Sequence, residues 1–199
     1  MFRELLQQKL SGLIELTSEQ AEKLEAHYTL LQKWNRVLNL TAIRDLSEVI
    51  ERHYSESLFL AAHLPLTALR IADVGSGAGF PGVPIAILRP DCRVVLIESH
   101  QRKATFLREA ARTLINVRVL PQRAEAVQEK FDWVVSRAVS YGDLRSYLCR
   151  LAPRVQLLTG REDPPTLLAT TWEPPIPLPF GQNRFLRIGV SRETQSGSD

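Results

Sequence analysis

The chain has 199 residues, 44% hydrophobic and 24% charged, with a formal net charge of +3, which is the composition of an ordinary soluble globular protein long enough for one domain or one domain with an extension. Met1-Phe2-Arg3-Glu4 lacks the basic-then-apolar layout of a signal peptide, and no apolar run approaches membrane-spanning length. Two lone cysteines, Cys92 and Cys149, predict reduced thiols and a cytoplasmic location, while the scattered histidines 27, 53, 63 and 100, without a C-x-x-C, give no reason to expect a metal.

The first 64 residues read as helical. Thr17-Ser18-Glu19-Gln20 has the form of a capping box. Leu24, Tyr28, Leu31, Trp34 and Leu38 then recur at three- and four-residue spacing, one apolar stripe of an amphipathic helix. A further helix is expected from Leu46 to His63, stopped by Pro65. Residues 1–64 are therefore expected to form a helical extension packed against a second unit, residues 65–192.

From residue 69 short apolar runs alternate with helical stretches, the pattern of a mainly parallel α/β sheet. Strands are predicted near Leu69–Val74, Arg93–Ile97, Val117–Leu120, Phe131–Ser136 and Val155–Leu158. The helix between the second and third would bury Ala104, Leu107, Ala111 and Leu114. Six prolines between 164 and 179 exclude a central strand there; Phe185–Val190 reads as a last edge strand and residues 193–199 as a disordered tail.

The most informative stretch is Ile71-Ala72-Asp73-Val74-Gly75-Ser76-Gly77-Ala78-Gly79-Phe80-Pro81-Gly82: a strand, a glycine-rich turn and the start of a helix. Without Cβ atoms, such a turn can bring its backbone against a ligand. The register Gly77-Ala78-Gly79-Phe80-Pro81-Gly82 fits a dinucleotide turn formally. An acid inside the strand argues otherwise, because Asp73 suits a cationic ligand and would repel a pyrophosphate. D-x-G-x-G-x-G resembles motif I of the class I S-adenosylmethionine (SAM) methyltransferases. Glu98, 19 residues beyond Gly79, stands where an acid grips a ribose, which supports a nucleoside without choosing between SAM and NAD. Arg123-Ala124-Glu125 and Ser136-Arg137-Ala138 follow the third and fourth strands, at the carboxyl ends where α/β sheets bind ligands; an Arg137 buried there is expected to meet an acid or a ligand. Residues 100–123 carry six basic side chains against one acid, Glu109, a run that ordinarily reads as a solvated helix face; Arg102 and Lys103 among them follow Glu98 directly, on the ligand-binding edge of the sheet, where cations can hold RNA phosphates.

Together these motifs resemble the RsmG (GidB) family, ribosomal RNA small-subunit methyltransferase G. The resemblance is carried by Trp34-Asn35, Asn39-Leu40-Thr41-Ala42-Ile43, Arg52-His53, Ser57-Leu58, the glycine turn with Phe80-Pro81-Gly82, Glu98-Ser99, Arg102-Lys103, Phe106-Leu107, Arg123-Ala124-Glu125, Phe131-Asp132 and Ser136-Arg137-Ala138-Val139, over roughly residues 20–160. It implies a class I, Rossmann-like SAM methyltransferase that methylates N7 of a guanine in 16S rRNA, as naked RNA or in the small ribosomal subunit; separately, a monomer is expected. It places Gly75, Phe80, Ala124, Glu125 and Arg137 on the cofactor and Glu98 on its ribose, beside Asp73, Gly77 and Gly79 from the turn itself. Asn39 and His53 stand as RNA contacts or as structural hydrogen-bonding groups. No catalytic acid or base is expected, since guanine N7 has a free lone pair. Two departures appear: Glu56 where the family usually has Asp, and Thr159-Gly160 where Lys-Gly is common. The alternatives are a methyltransferase-like RNA-binding factor with little activity, an NAD enzyme, for which no catalytic domain follows the sheet, and a small-molecule methyltransferase.

Overall fold

The computed structural model describes residues 1–137, 141–145, 147–161 and 170–191. The chain opens with helices α1 (Phe2–Leu10) and α2 (Ser18–Asn35), then α3 (Leu46–Val49), a π-helical turn (Ile50–Ser55) and α4 (Glu56–Ala62). Thr17 begins α2 with the expected capping box, its hydroxyl accepting from Gln20 N while the Gln20 side chain accepts from Thr17 N. The helix expected over 46–63 forms, but with a widened turn in its middle, a feature frequent at functional sites. Phe2, Leu6 and Leu10 lie on one face of α1 and are all buried, and each such burial stabilises by about 1.5–3 kcal/mol. Packing of that face therefore holds a helix too short to stand alone.

The remaining strands are β1 (Arg70–Val74), β2 (Arg93–Ile97), β3 (Val117–Leu120), β4 (Trp133–Arg137), β5 (Arg154–Thr159), β6 (Thr170–Trp172), β7 (Ile176–Pro177) and β8 (Phe185–Ser191). Helices α5 (Gly82–Leu88) and α6 (Gln101–Ala110) connect β1 to β2 and β2 to β3, and α7 (Tyr141–Arg145) and α8 (Leu148–Leu151) precede β5. The sheet order is β3-β2-β1-β4-β5-β8-β6, parallel from β3 to β5, with β7 also paired to β8. Strands β2 and β3 occupy the predicted residues. The edge-strand reading of 185–190 is corrected: β8 lies between β5 and the short strands β6 and β7, antiparallel to all three. Prolines keep β6 and β7 short and peripheral without preventing their pairing, so the edge passes to them. The tail 193–199 lies outside the described residues.

Alternation along the strands divides the core. Ile71, Leu96 and Val135 face the layer that includes α1, α2, α4 and α5, so the helical extension and the sheet share one hydrophobic cluster. Ala72, Val95 and Val134 face the layer of Leu144, Leu148 and Leu151. Of the stripe predicted in and after α6, Ala104, Leu107, Ala111 and Leu114 are all buried. Both cysteines are free thiols, and no helix among the described residues is long and apolar enough to cross a membrane.

Candidate active site

From β1 the chain moves outward through β2 to β3, then returns to place β4 on β1's other side. This makes the β1/β4 boundary a topological switch point, with an opening beyond the carboxyl ends of the strands. The glycine turn lies there. Gly75 N and Ser76 N donate to Ile97 O at 3.0 and 3.2 Å, tying the turn to the end of β2. Gly77 has φ 53°, and a Cβ added to it would have only Gly75 O near it, at 3.7 Å, so the backbone is open to a ligand. At Gly82 the constraint is contact: a Cβ would sit 2.3 Å from Leu96 Cδ2 and 2.6 Å from Asp73 Oδ2.

Asp73 lies beneath this turn, with no exposed surface. Its Oδ2 accepts from Gly82 N at 3.0 Å, and its Oδ1 has no hydrogen-bond partner among the described residues. Burial pushes its carboxyl up to about 7, against the lowering effect of the Gly82 N–H. Asp73 does not itself line the cavity at the turn, so its charge acts on that site from beneath the turn rather than by contact. Glu98 completes the turn: Oε2 accepts from Gly77 N at 2.9 Å and Oε1 from His100 N at 2.8 Å. It opens on a cavity of about 200 Å³ lined also by Gly75, Arg123, Ala124, Glu125 and Tyr147. Ala124 and Glu125 form a 3-10 turn whose carbonyls both accept from Arg150 Nη2, at 2.9 and 3.0 Å. A larger cleft of about 520 Å³ lies at the opposite end of the strands, away from every one of these groups. Of the candidate cofactor residues, Gly75, Glu98, Ala124 and Glu125 line the smaller cavity and none lines the larger cleft.

At the end of β4, Arg137 is half-buried and makes no ion pair among the described residues. Its Nη1 donates to Arg52 O at 2.7 Å and to His53 Nδ1 at 2.6 Å, and its guanidinium lies 5.3 Å from the Phe80 ring centroid. Because a guanidinium only donates, the His53 proton sits on Nε2, which donates to Thr41 Oγ1 at 2.8 Å. Asn35 closes the series, accepting from Leu40 N and Thr41 N at 2.8 and 3.1 Å. Burial first, and the Arg137 charge second, hold His53 down at about 3, so it is neutral at pH 7. Glu56, fully buried, receives Arg184 through Nε and Nη2 at 3.0 and 2.8 Å, with Arg52 Nε 3.4 Å away. Burial lowers Arg137 to about 10, with Glu56 opposing the shift and Arg184 adding to it. Thus the Glu in place of the family's usual Asp sits as the buried counter-charge of this arginine group.

The fold gathers Asp73, Gly75, Gly77, Gly79, Phe80, Glu98, Ala124, Glu125 and Arg137 at one end of the sheet. Arg102 and Lys103 open α6 at that same end, exposed and half-buried respectively. Asn39 is exposed on the loop after α2, whereas His53 is buried with both ring nitrogens engaged. Ala138 and Val139 lie outside the described residues. Three supporting residues were not singled out from the sequence. His27 interrupts the α2 apolar stripe at i+3 from Leu24, a polar residue on a buried face and so a readable signal. Arg150 and Arg184 carry no local pattern that marks them.

A Rossmann-like parallel sheet, a glycine turn over a buried carboxylate and an acid at the second strand's end define the class: this is the fold of the class I SAM methyltransferases. One solved structure of that class, a SAM-dependent methyltransferase from Aquifex aeolicus, superposes with a TM-score of 0.56 at 16% identity, covering 81% of this chain and 96% of that one. The chain belongs to the family described as rRNA small subunit methyltransferase G, which matches residues 20–156. It is 46% identical over 140 residues to the ribosomal RNA small subunit methyltransferase G of Chromobacterium violaceum (68% of this chain, 66% of that one), and 44% identical over 146 residues to that of Nitrosospira multiformis (69% and 66%). The matched part spans about two thirds of the length of these relatives.

Proposed function

We propose that this protein is a SAM-dependent methyltransferase acting on N7 of a guanine in 16S rRNA. The observation that carries the reading is the open backbone at Gly77, held by the Glu98 carboxylate at the mouth of a cavity beyond the carboxyl end of β2, in a chain of this family. Bound SAM would supply an electrophilic methyl group on a cationic sulfonium. In this reading Asp73 offsets positive charge on the cofactor, Glu98 takes the ribose hydroxyls, and Gly75, Gly77, Gly79 and Phe80 give the close backbone surface. Ala124 and Glu125 border the cavity, and Arg137 with Phe80 forms the wall toward the helical extension.

Guanine N7 presents an in-plane lone pair and no proton, so its methylation needs no general acid or base from the protein. No proton moves, so the protein's contribution is alignment and exclusion of water. Arg102 and Lys103 hold phosphates of the incoming strand. In this reading the exposed Asn39 touches the RNA, and His53 acts structurally, by holding Arg137. N7 faces the deep groove of an RNA helix, so the target guanine must be unpaired or in a distorted loop. The division into a helical extension over 1–64 and a SAM-binding unit over 65–192, a monomeric state and a cytoplasmic location belong to the same reading.

The test is transfer from tritiated SAM to rRNA of a strain lacking the enzyme, followed by strand cleavage specific for N7-methylguanine. Label that survives without such cleavage points to another atom. RNA and SAM binding with no label refutes the enzyme and leaves an RNA-binding factor.

A further inference from the structure

We propose that the cleft at the N-terminal ends of β1, β2 and β3 is a second RNA-docking surface, taking the phosphodiester backbone of rRNA away from the target base; this rests on the rRNA-methyltransferase reading above. The cleft is the cavity of about 520 Å³ at the sheet end opposite the glycine turn, and its walls include Arg70, Arg93 and Arg118. Strand register forces these cations together. Arg70 is the direct neighbour of Arg93, and Arg118 is the neighbour of Val95, two residues on from Arg93, so all three side chains leave the same face of the sheet.

The local acids are already engaged. Glu129 takes Arg118 at 2.5 Å and Arg70 at 3.4 Å, Asp91 takes Arg89 at 2.8 Å, and Asp132 accepts from the Arg70 backbone N–H at 2.6 Å. Arg93, exposed, makes no ion pair among the described residues. Asn116 forms a fixed floor, its Nδ2 directed at the carbonyls of Ala86 and Cys92, both at 3.0 Å. Glu129 offsets Arg118 and Arg70 in part, and Asp91 lines the same cleft. That leaves Arg93 as the cleft cation without an ion pair among the described residues, and the three arginines still in excess of the one carboxylate that two of them share, an arrangement that fits a polyanion.

The position of the cleft selects which polyanion. β3 is the outermost strand on its side of the sheet, and Arg123 just beyond its end lines the cavity beside Glu98. Arg108 on α6 and Arg112 just after it belong to the layer that packs on the other face of the sheet from the cleft arginines. The outer edge of β3, with Arg118 toward its start and Arg123 just beyond its end, is therefore the basic connection from the cleft to the mouth where the substrate base must arrive. A strand of this length spans about 13–17 Å, a few nucleotides of backbone.

The experiment compares Arg93→Glu, and Arg93→Glu with Arg118→Gln, against the unaltered protein. Arg93 breaks no ion pair among the described residues, so the single variant is expected to fold, and circular dichroism and SAM affinity verify it. Binding is measured by filter retention for full-length 16S rRNA and for a short hairpin carrying the target guanine. The expected result is about tenfold weaker binding of full-length rRNA, a salt slope lower by about 0.7–0.9 for each cation removed, and unchanged hairpin binding and methylation. Unchanged binding of full-length rRNA would overturn the proposal, as would equal losses on both RNAs. A loss confined to assembled small subunits would overturn it too, pointing to an acidic protein in the cleft. Binding is read without methyl transfer, so an inactive but RNA-binding protein would sink the enzymatic reading alone.

Discussion

His27 Nε2 donates to the carbonyl of Ala78, in the middle of the glycine turn, at 3.1 Å. Its Nδ1 accepts from the Tyr54 hydroxyl at 2.8 Å, so one buried imidazole ties α2 and the π-helical turn to the glycine turn. The same ring lies 3.2 Å from where a Cβ on Gly79 would sit. The helical extension thus braces the loop directly. His27→Ala leaves the Ala78 carbonyl and the Tyr54 hydroxyl without these partners and is expected to cost about 2–4 kcal/mol in urea unfolding. SAM affinity, measured by calorimetry, should weaken with it; unaltered affinity in the folded variant would show that the loop keeps its shape unaided.

Two glycines of the turn should respond differently. Gly77→Val fills open backbone, adding a β-branched side chain at φ 53°; it should abolish SAM binding while most of the fold survives. Gly82→Ala instead drives a methyl against Leu96 and Asp73 and should lower stability by about 1–3 kcal/mol. Thermal melts and SAM titrations of both variants separate the two effects. A Gly77→Val protein that binds SAM normally would displace the site from this turn.

Glu56 is the buried counter-charge for Arg184, whose side chain is 17% exposed. Glu56→Gln removes that charge and should cost about 3–5 kcal/mol, because the guanidinium stays partly buried and unpaired. Glu56→Asp retains the charge and should lose much less. Equal urea midpoints for Glu56→Gln and the unaltered protein would contradict this role.

Acid sensitivity follows from three buried groups. His27 and His53 are held down at about 4 and about 3 from 6.5, while Asp73 is raised from 3.8 to about 7. Between about pH 4 and 6.5 the unfolded chain binds two protons on the histidines and none on Asp73. The native state binds none on the histidines and one on Asp73. The unfolded state's excess is one proton, so stability should rise with pH by about 1.4 kcal/mol per unit across that window. Above 6.5 only Asp73 still titrates, and its raised value makes ligand-free stability fall slightly as pH passes 7. A cationic ligand beside Asp73 should expel that proton. Calorimetry at pH 6 in buffers of different ionisation enthalpy should then detect about one proton released per SAM bound. No release would mean that Asp73 does not answer the ligand's charge.

Arg102→Ala with Lys103→Ala should weaken rRNA binding and reduce its salt slope by about 1 per cation, with SAM binding intact. Filter binding across a salt series measures this. An unchanged slope would remove both residues from the RNA path.

Much of this arrangement is local in origin and was therefore legible. Strands β2 and β3, the capping box at Thr17, the glycine turn and the acid at residue 98 each follow from short-range chemistry: short apolar runs, an orphan N–H to cap, a backbone needing positive φ. Neighbours along the chain decide such features, so a linear reading finds them. The pairing of β8 on both sides was not legible, since three residues at 170–172 become a strand only because β8 offers them an edge.

The partners of the charged groups belong to the same class. Arg137 meets His53 across 84 positions, Glu56 meets Arg184 across 128, and His27 reaches Ala78 across 51. What the linear chain determined was the cofactor turn and the fold class. What only the folded molecule decided was which buried charges meet, because a carboxylate or guanidinium removed from water must find a partner and its neighbour in space is set by strand order.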